Sequence, residues 1–188
     1  MRQKEYDMND TADQLTLFSV MHNSDEFKNQ QKNDVHEGYT CQLYVDGASR
    51  NNPGIAGAGI YIMRNGIPLY QTGYFLGIKT NNQAEYLAFL LGLFSLKKWY
   101  NTSDHISIFS DSLLLVKQLQ GLYKVRNDLL KPLHHLALSM MRDMHISINH
   151  IMREDNMHAD KMANHGIETQ KPMPHSFLKM LKEYDVAI

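Results

Sequence analysis

Four acidic residues stand where the surrounding pattern turns apolar side chains inward: Asp46, Glu85, Asp111 and Asp160. Asp46 ends an apolar, alternating stretch and is followed by Gly47; Asp111 follows another such stretch and starts a helical one. Glu85 lies in the first turns of a long apolar helix, and Asp160 lies in the first turns of a later helix, beside Ala159 and Ala163. A carboxylate in such a place is destabilising unless it is paired or ligates a cation. Taken singly, each has an ordinary explanation: Asp111 as a helix N-cap, Asp160 at the positive end of a helix, Glu85 as a solvated helical residue, Asp46 as a turn former. Converging on one sheet edge, the four make an oxygen-donor set of the kind hard cations such as Mg²⁺ require, and two-metal sites share carboxylates between ions about 3.5–4 Å apart.

The elements that must position these acids follow from periodicity. Thr40–Asp46 reads as a strand with Cys41, Leu43 and Val45 on one face, and Ile55–Arg64 as a second. Asn65-Gly66 favours a tight turn, so Ile67–Leu76 returns as a hairpin partner. Thr80 and Gln83 have capping-box spacing and open a helix to about Trp99. His105–Ser110 is a strand, Asp111–Gln120 and Leu129–Asp143 are helices, Ile146–Met152 is a strand and Asn156–Gly166 a helix. Pro172 and Pro174 precede a last amphipathic helix, Phe177–Tyr184. The order β-β-β-α-β-α-α-β-α predicts an α/β fold: a five-stranded mixed sheet with helices on both faces, and a site where strands end.

Composition narrows the alternatives. The chain has 188 residues and a formal net charge of −1. That suits one ordinary domain with room for a tail. Cys41 is the single cysteine, which excludes a disulfide framework and a cysteine zinc site. No apolar run approaches the roughly 18 residues of a membrane span, and the first ten residues lack the apolar core of a secretory signal. The expectation is a monomer in a reduced, cytoplasmic compartment, with no membrane partner. Residues 1–38 carry four basic and eight acidic side chains, a net of −4, which leaves +3 for the remainder. This polar tail is expected to be disordered. Residues 39–169 then form the domain, and 170–188 a C-terminal extension with a short helix. A near-neutral total would otherwise argue against a nucleic-acid partner. The split weakens that objection, and two bound Mg²⁺ would neutralise the four acids.

At this point four blocks resemble a known family. Asp46-Gly47-Ala48-Ser49-Arg50-Asn51-Asn52-Pro53-Gly54 resembles the first-strand motif of type 1 ribonuclease H, and Thr80-Asn81-Asn82-Gln83-Ala84-Glu85 resembles its TNNxAE helix start. Ser110-Asp111-Ser112 resembles its second-aspartate motif. Arg153-Glu154-Asp155-Asn156, followed by Ala159-Asp160-Lys161-Met162-Ala163-Asn164, resembles its ending. The blocks keep the family's order and spacing across about Tyr39–Thr169. The resemblance implies a ribonuclease H-like fold and hydrolysis of the RNA strand of an RNA–DNA hybrid by two Mg²⁺ ions, with Mn²⁺ as an alternative, leaving 5′-phosphate and 3′-hydroxyl ends. By position, Asp46, Glu85, Asp111 and Asp160 are then the catalytic, metal-binding set. RNA is told from DNA through its 2′-hydroxyls in the minor groove. Gly47 would allow close backbone approach there, and Glu85 would read a 2′-hydroxyl as well as bind metal. Asn52, Asn82 and Gln83 would contact the hybrid, and Thr80 a DNA-strand phosphate.

The chain also departs from the family pattern. No histidine stands in the loop before Asp160, which reads Met152-Arg153-Glu154-Asp155-Asn156; His158 reads as a helix-surface residue. Leu113 stands where a glutamine is frequent. Gly121–Asn127 leads straight into the next helix without a basic protrusion, as in the handle-less subgroup, with Lys124 and Arg126 either as phosphate contacts or as solvated loop charges. His134, His135, His145 and His150 lack helical zinc-site spacing and read as surface or hydrogen-bonded, while Met140, Met141 and Met144 fit core packing.

In the tail, Gln14-Leu15-Thr16-Leu17-Phe18 resembles the bacterial sliding-clamp-binding pentapeptide, with Gln14, Leu15, Leu17 and Phe18 as the anchors. The other readings are a chance apolar cluster or an extra helix docked on the domain. A catalytically weak or inactive hybrid-binding module on the same fold is the alternative to the enzyme. A transposase-, resolvase- or exonuclease-like substrate is a third reading, from which the first two blocks point away.

Overall fold

The computed structural model describes residues 40–101 and 104–187. The expected disorder of residues 1–38 and the motif at 14–18 lie outside the described residues. Strands β1 (Thr40–Asn51), β2 (Gly54–Arg64) and β3 (Ile67–Lys79) form an antiparallel meander. Strand β4 (His105–Ser110) pairs parallel with β1, and β5 (His145–His150) parallel with β4. The sheet order is β3-β2-β1-β4-β5, the mixed five-stranded sheet expected. The helices are α1 (Asn81–Leu96), α2 (Leu113–Leu119), α3 (Lys131–Met141), α4 (Met157–Thr169) and α5 (His175–Glu183), with a 3₁₀ turn at Arg153–Asp155.

Alternation decides which sheet face each helix covers. Cys41, Leu43 and Val45 are fully buried, and their neighbours Ile60 and Ile62 of β2 and Ile106 and Ile108 of β4 complete an apolar face. Helix α1 packs on that face with α3 behind it. It is therefore buried on nearly every side, and its apolar residues do not keep to one stripe. The opposite face is built for close approach. A Cβ at Gly59 would overlap the Ala159 carbonyl oxygen, and one at Gly73 the Met162 carbonyl oxygen. Without side chains at these points, the α4 backbone rests directly on β2 and β3.

The structure moves several expected boundaries. Strand β1 continues past Asp46 to Asn51 because β2 pairs with it along its whole length, from Cys41 opposite Arg64 to Asn51 opposite Gly54. Asp46 therefore does not end its strand. It lies just beyond the point where β1 loses its other neighbour, since the β4 pairing stops at Tyr44 opposite Phe109. Helix α2 is capped by Ser112, whose hydroxyl accepts from the Leu115 N–H, so Asp111 precedes the cap rather than forming it. Helix α3 starts at Lys131 instead of Leu129, because the Asn127 side chain accepts from the Leu129 N–H at 2.8 Å and holds a turn there. After α4 the chain returns to β3, where the Phe75 N–H donates to the Lys171 carbonyl at 2.7 Å. Phe177, Leu181 and Val186 then join the core, with Phe177 edge-on to Phe94.

Candidate active site

Asp46, Glu85 and Asp111 meet where β1, α1 and β4 come together. One oxygen from each lies within 4.8 Å of the others, and among the described residues they form the one such acidic group able to hold a metal ion. Asp46 and Glu85 are buried, while Asp111 is half-buried. Glu85 is aimed by its neighbour: a Cβ at Gly47 would overlap the α1 backbone at Ala84 and Glu85, so only glycine lets the strand pass, and the Gly47 N–H donates to Glu85 Oε2 at 3.1 Å. Helix α1 enters this position through the expected capping box. The Thr80 hydroxyl accepts from the Gln83 N–H, and the Gln83 side chain accepts from the Thr80 N–H.

The electrostatics of the cluster are unfavourable as it stands. Burial pushes the Asp46 carboxyl up to about 7, reinforced by the charges of Asp111 and Asp160 and partly offset by Arg153. Burial raises Glu85 well above the ordinary carboxylate range, with Asp46 and Asp111 adding to it and the Gly47 N–H and Arg153 opposing. Two buried carboxylates raised by burial and by neighbouring acidic charge, with Asp111 beside them and all three offering oxygens, match the donor set of a hard divalent cation.

Asp160 is close but held differently. Its Oδ1 accepts from Arg153 Nη2 at 2.7 Å and its Oδ2 from Asn164 Nδ2 at 3.2 Å. It acts on Asp46 electrostatically, yet the three-acid group does not include it. Asn156 is 1% exposed, and its Nδ2 donates both to the Val45 carbonyl at 3.0 Å and to Asp111 Oδ1 at 2.8 Å. Sequence reasoning assigned Asn156 no role of its own, although it stands in the Arg153–Asn156 block that resembles the family's ending. A groove of about 410 Å³ opens over the acids, lined among others by Gly47, Ser49, Arg50, Asn81, Ser112, Arg153 and Asn164. A larger hollow of about 590 Å³, lined by Asp128, Lys131, His135 and Tyr184, shares no residue with it and carries no acid cluster.

The expected substrate residues divide into two groups. Asn52 is tied to the groove's rim: its Oδ1 accepts at 3.0 Å from the N–H of Asn81, which lines the groove, so the turn after β1 and the start of α1 are held together. Thr80 and Gln83 are engaged with each other, and Asn82 is exposed on the same first turn. Lys124 and Arg126 are exposed on the α2–α3 connection and do not line the groove. His134 Nε2 lies 3.3 Å from the Gln118 carbonyl oxygen, and His158 is exposed and stacks on Tyr61 at 4.5 Å between ring centroids.

The family model described as reverse transcriptase-like matches residues 44–166. The chain is 34% identical over 133 residues to ribonuclease HI of Halobacterium salinarum, a stretch covering 70% of this chain and 66% of that protein. It is 32% identical over 129 residues to bifunctional protein Rv2228c of Mycobacterium tuberculosis, spanning 67% of this chain but only 35% of that protein. Among solved structures, RNase H1 from the halophilic archaeon Halobacterium salinarum is similar at a TM-score of 0.66 and 32% identity, covering 69% of this chain and 98% of that one. LC11-RNase H1 in complex with an RNA/DNA hybrid is similar at a TM-score of 0.64 and 32% identity, covering 69% of this chain and 97% of that one.

Proposed function

The chain belongs to the reverse transcriptase-like family, and from that premise we propose that it hydrolyses the RNA strand of RNA–DNA hybrids, leaving 5′-phosphate and 3′-hydroxyl ends. The observation that carries the reading is the convergence of Asp46, Glu85 and Asp111 in one site where, among the described residues, none has a salt-bridge partner. Asp46, Glu85 and Asp111, with Asp160, would hold Mg²⁺, and Mn²⁺ shares the same oxygen preference. When bound, two such ions supply Lewis acidity, activating water and balancing charge on the phosphate and the departing 3′ oxygen.

The chain's own residues do the rest. Gly47 lines the groove with its backbone, held there by close packing on α1, so a sugar edge meets main chain at this point. Glu85, fixed by the Gly47 N–H, accepts from a 2′-hydroxyl, a donor that DNA lacks. The Asn52–Asn81 bond sets the turn that, with Asn82, Gln83 and Thr80, meets the sugar–phosphate backbones. Lys124 and Arg126 contribute phosphate contacts away from the chemistry. With only these two cations on the connection, affinity is modest and falls with salt. The test is cleavage of labelled hybrid with Mg²⁺ or Mn²⁺, which Asp46→Asn abolishes. Activity on single-stranded RNA alone, hybrid binding without cleavage, or full activity in Asp46→Asn overturns the reading.

The reading includes a cytoplasmic monomer that Gln14, Leu15, Leu17 and Phe18 tether to a bacterial sliding clamp, raising its effective concentration at replicating DNA. It is supported by the pentapeptide alone. Equal capture of clamp by the full chain and by its Leu17→Ala/Phe18→Ala variant removes the tether from the proposal.

A further inference from the structure

We propose that Asn156 is a positioning residue: its side-chain amide fixes Asp111 against β1 and so holds the acid cluster in the arrangement a divalent cation needs. The inference rests on the proposed function and deepens it.

The bonding of Asn156 is one-sided. Nδ2 donates to two acceptors from different elements, the Val45 carbonyl at 3.0 Å and Asp111 Oδ1 at 2.8 Å. Val45 immediately precedes Asp46, so the amide links the backbone beside one acid to the side chain of another. The Asn156 carbonyl oxygen also accepts from the Asp160 N–H at 3.0 Å, in the first turn of α4. One buried residue thus touches the segments that carry three of the four acids.

Both partners of Nδ2 can only accept, which determines the amide orientation chemically. A flipped side chain would set Oδ1 against a carbonyl and a carboxylate and forfeit both bonds. The observed orientation leaves Asn156 Oδ1 buried with no hydrogen-bond partner among the described residues. An unsatisfied buried oxygen is destabilising, and such groups in native proteins call for a reason. The reason here is electrostatic. Asp111 is half-buried beside two buried acids, so repulsion favours its rotation outward toward water. The amide opposes that rotation by engaging one Asp111 oxygen, which leaves the other for a cation. Neither aspartate nor an apolar residue of the same size supplies the two donated hydrogens.

The test uses the full chain with Asn156→Leu, which keeps the volume and removes the donors, and Asn156→Ala as a smaller second variant. Mn²⁺ binding without substrate is measured by titration calorimetry, alongside the metal-free Tm and kcat and KM on labelled hybrid. The expected result is Mn²⁺ affinity and kcat each reduced about 10- to 100-fold, with KM for the hybrid unchanged. In an Asp111→Asn background, Asn156→Ala should cause no further loss of Mn²⁺ affinity, since the two act as one unit. A lowered Tm with Mn²⁺ affinity and kcat intact assigns Asn156 a merely structural role and overturns the inference, as does additive loss in the double variant. If the wild type neither binds Mn²⁺ nor cleaves hybrid, the proposed function fails and takes this inference with it. If the wild type does both and the variants match it, only the inference fails. Should Asn156→Leu not fold, Asn156→Ala decides.

Discussion

At one end of the β1–β4 pair, Asp104 is 1% exposed, and one of its oxygens is answered from several sides while Oδ1 is buried without a hydrogen-bond partner among the described residues. Oδ2 accepts from Arg64 Nη2 at 3.2 Å and from the Asn101 N–H at 2.9 Å, and the Cys41 thiol lies 3.7 Å away. At the other end of the same two strands, Asp46 and Glu85 are buried almost as deeply and are surrounded by more carboxylates instead. The cation that tempers both, Arg153, is bonded to Asp160. The fold can therefore neutralise a buried carboxylate when stability is the only demand. Among the described residues it supplies no salt-bridge partner to Asp46 and Glu85, and theirs is the charge the proposed divalent cation would answer. Paired burial of this kind seldom adds stability over apolar packing, but breaking it is strongly destabilising.

The sharpest way to break the comparison is to neutralise one acid at each end. Asp46→Asn should reduce hybrid cleavage by a factor on the order of 10³ or more, the scale of losing charge stabilisation in a transition state, measured as single-turnover rate. The same change should raise the Tm of the metal-free protein by removing an unpaired buried charge. Asp104→Asn should do the opposite. Cleavage persists at temperatures where the protein is folded, while stability falls by about 3 kcal/mol in urea unfolding, toward the low end for a broken buried pair because Arg64 remains a quarter exposed. Matching stability changes at the two ends would mean that the acid cluster carries no electrostatic burden.

A smaller effect separates the ends by pH. The Asp46 carboxyl lies at about 7 in the folded chain, against about 3.9 in an unfolded one. Between those values the folded state holds more protons than the unfolded state, so this group's contribution is present at low pH and lost as pH rises through about 7. Metal-free protein should accordingly lose several degrees of Tm between roughly pH 5 and pH 8, and Asp46→Asn should lose less. Saturating Mg²⁺ should abolish or reverse the slope, because it binds the deprotonated acids of the folded state alone. A Tm insensitive to Mg²⁺ at pH 8 would remove the cation from this picture.

What could be read from the chain before its structure follows the range of the interactions involved. The Thr80–Gln83 box, the Asn65-Gly66 turn and the strand alternations are local, and they stand at the expected positions. Asp46, Glu85 and Asp111, three of the four acids picked out by their apolar neighbours, are brought together, while Asp160 is held apart by Arg153. The long-range terms were not legible. Asp46 lies within its strand because β2 is long enough to pair past it, and no pattern inside Thr40–Asp46 encodes that length. Asn156 bonds a carbonyl 111 residues away, and Cys41 and Asp104 meet across 63. The Arg153–Asp160 bond depends on a 3₁₀ turn whose three residues have no periodicity to detect.

That last bond supplies the smallest test. Arg153 and Asp160 are 77% and 28% exposed, and such a pair is worth about 0–1 kcal/mol, so Arg153→Gln should change unfolding stability by less than about 1 kcal/mol. Its consequence for the cluster is more specific. In the metal-free chain Arg153 occupies an oxygen of the fourth acid and also tempers Asp46 and Glu85 from a distance. A cation drawing on Asp160 must displace the guanidinium, so Arg153→Gln should lower the half-saturating Mg²⁺ concentration by up to about fivefold, the most that a pair of this strength can supply. The gap should narrow at high salt, where the exposed pair is screened in the wild type as well. A large loss of activity, or a raised Mg²⁺ requirement, would show instead that Arg153 belongs to the machinery. The acid end would then keep a cation of its own, as Asp104 does, and the contrast between the two ends would be one of degree.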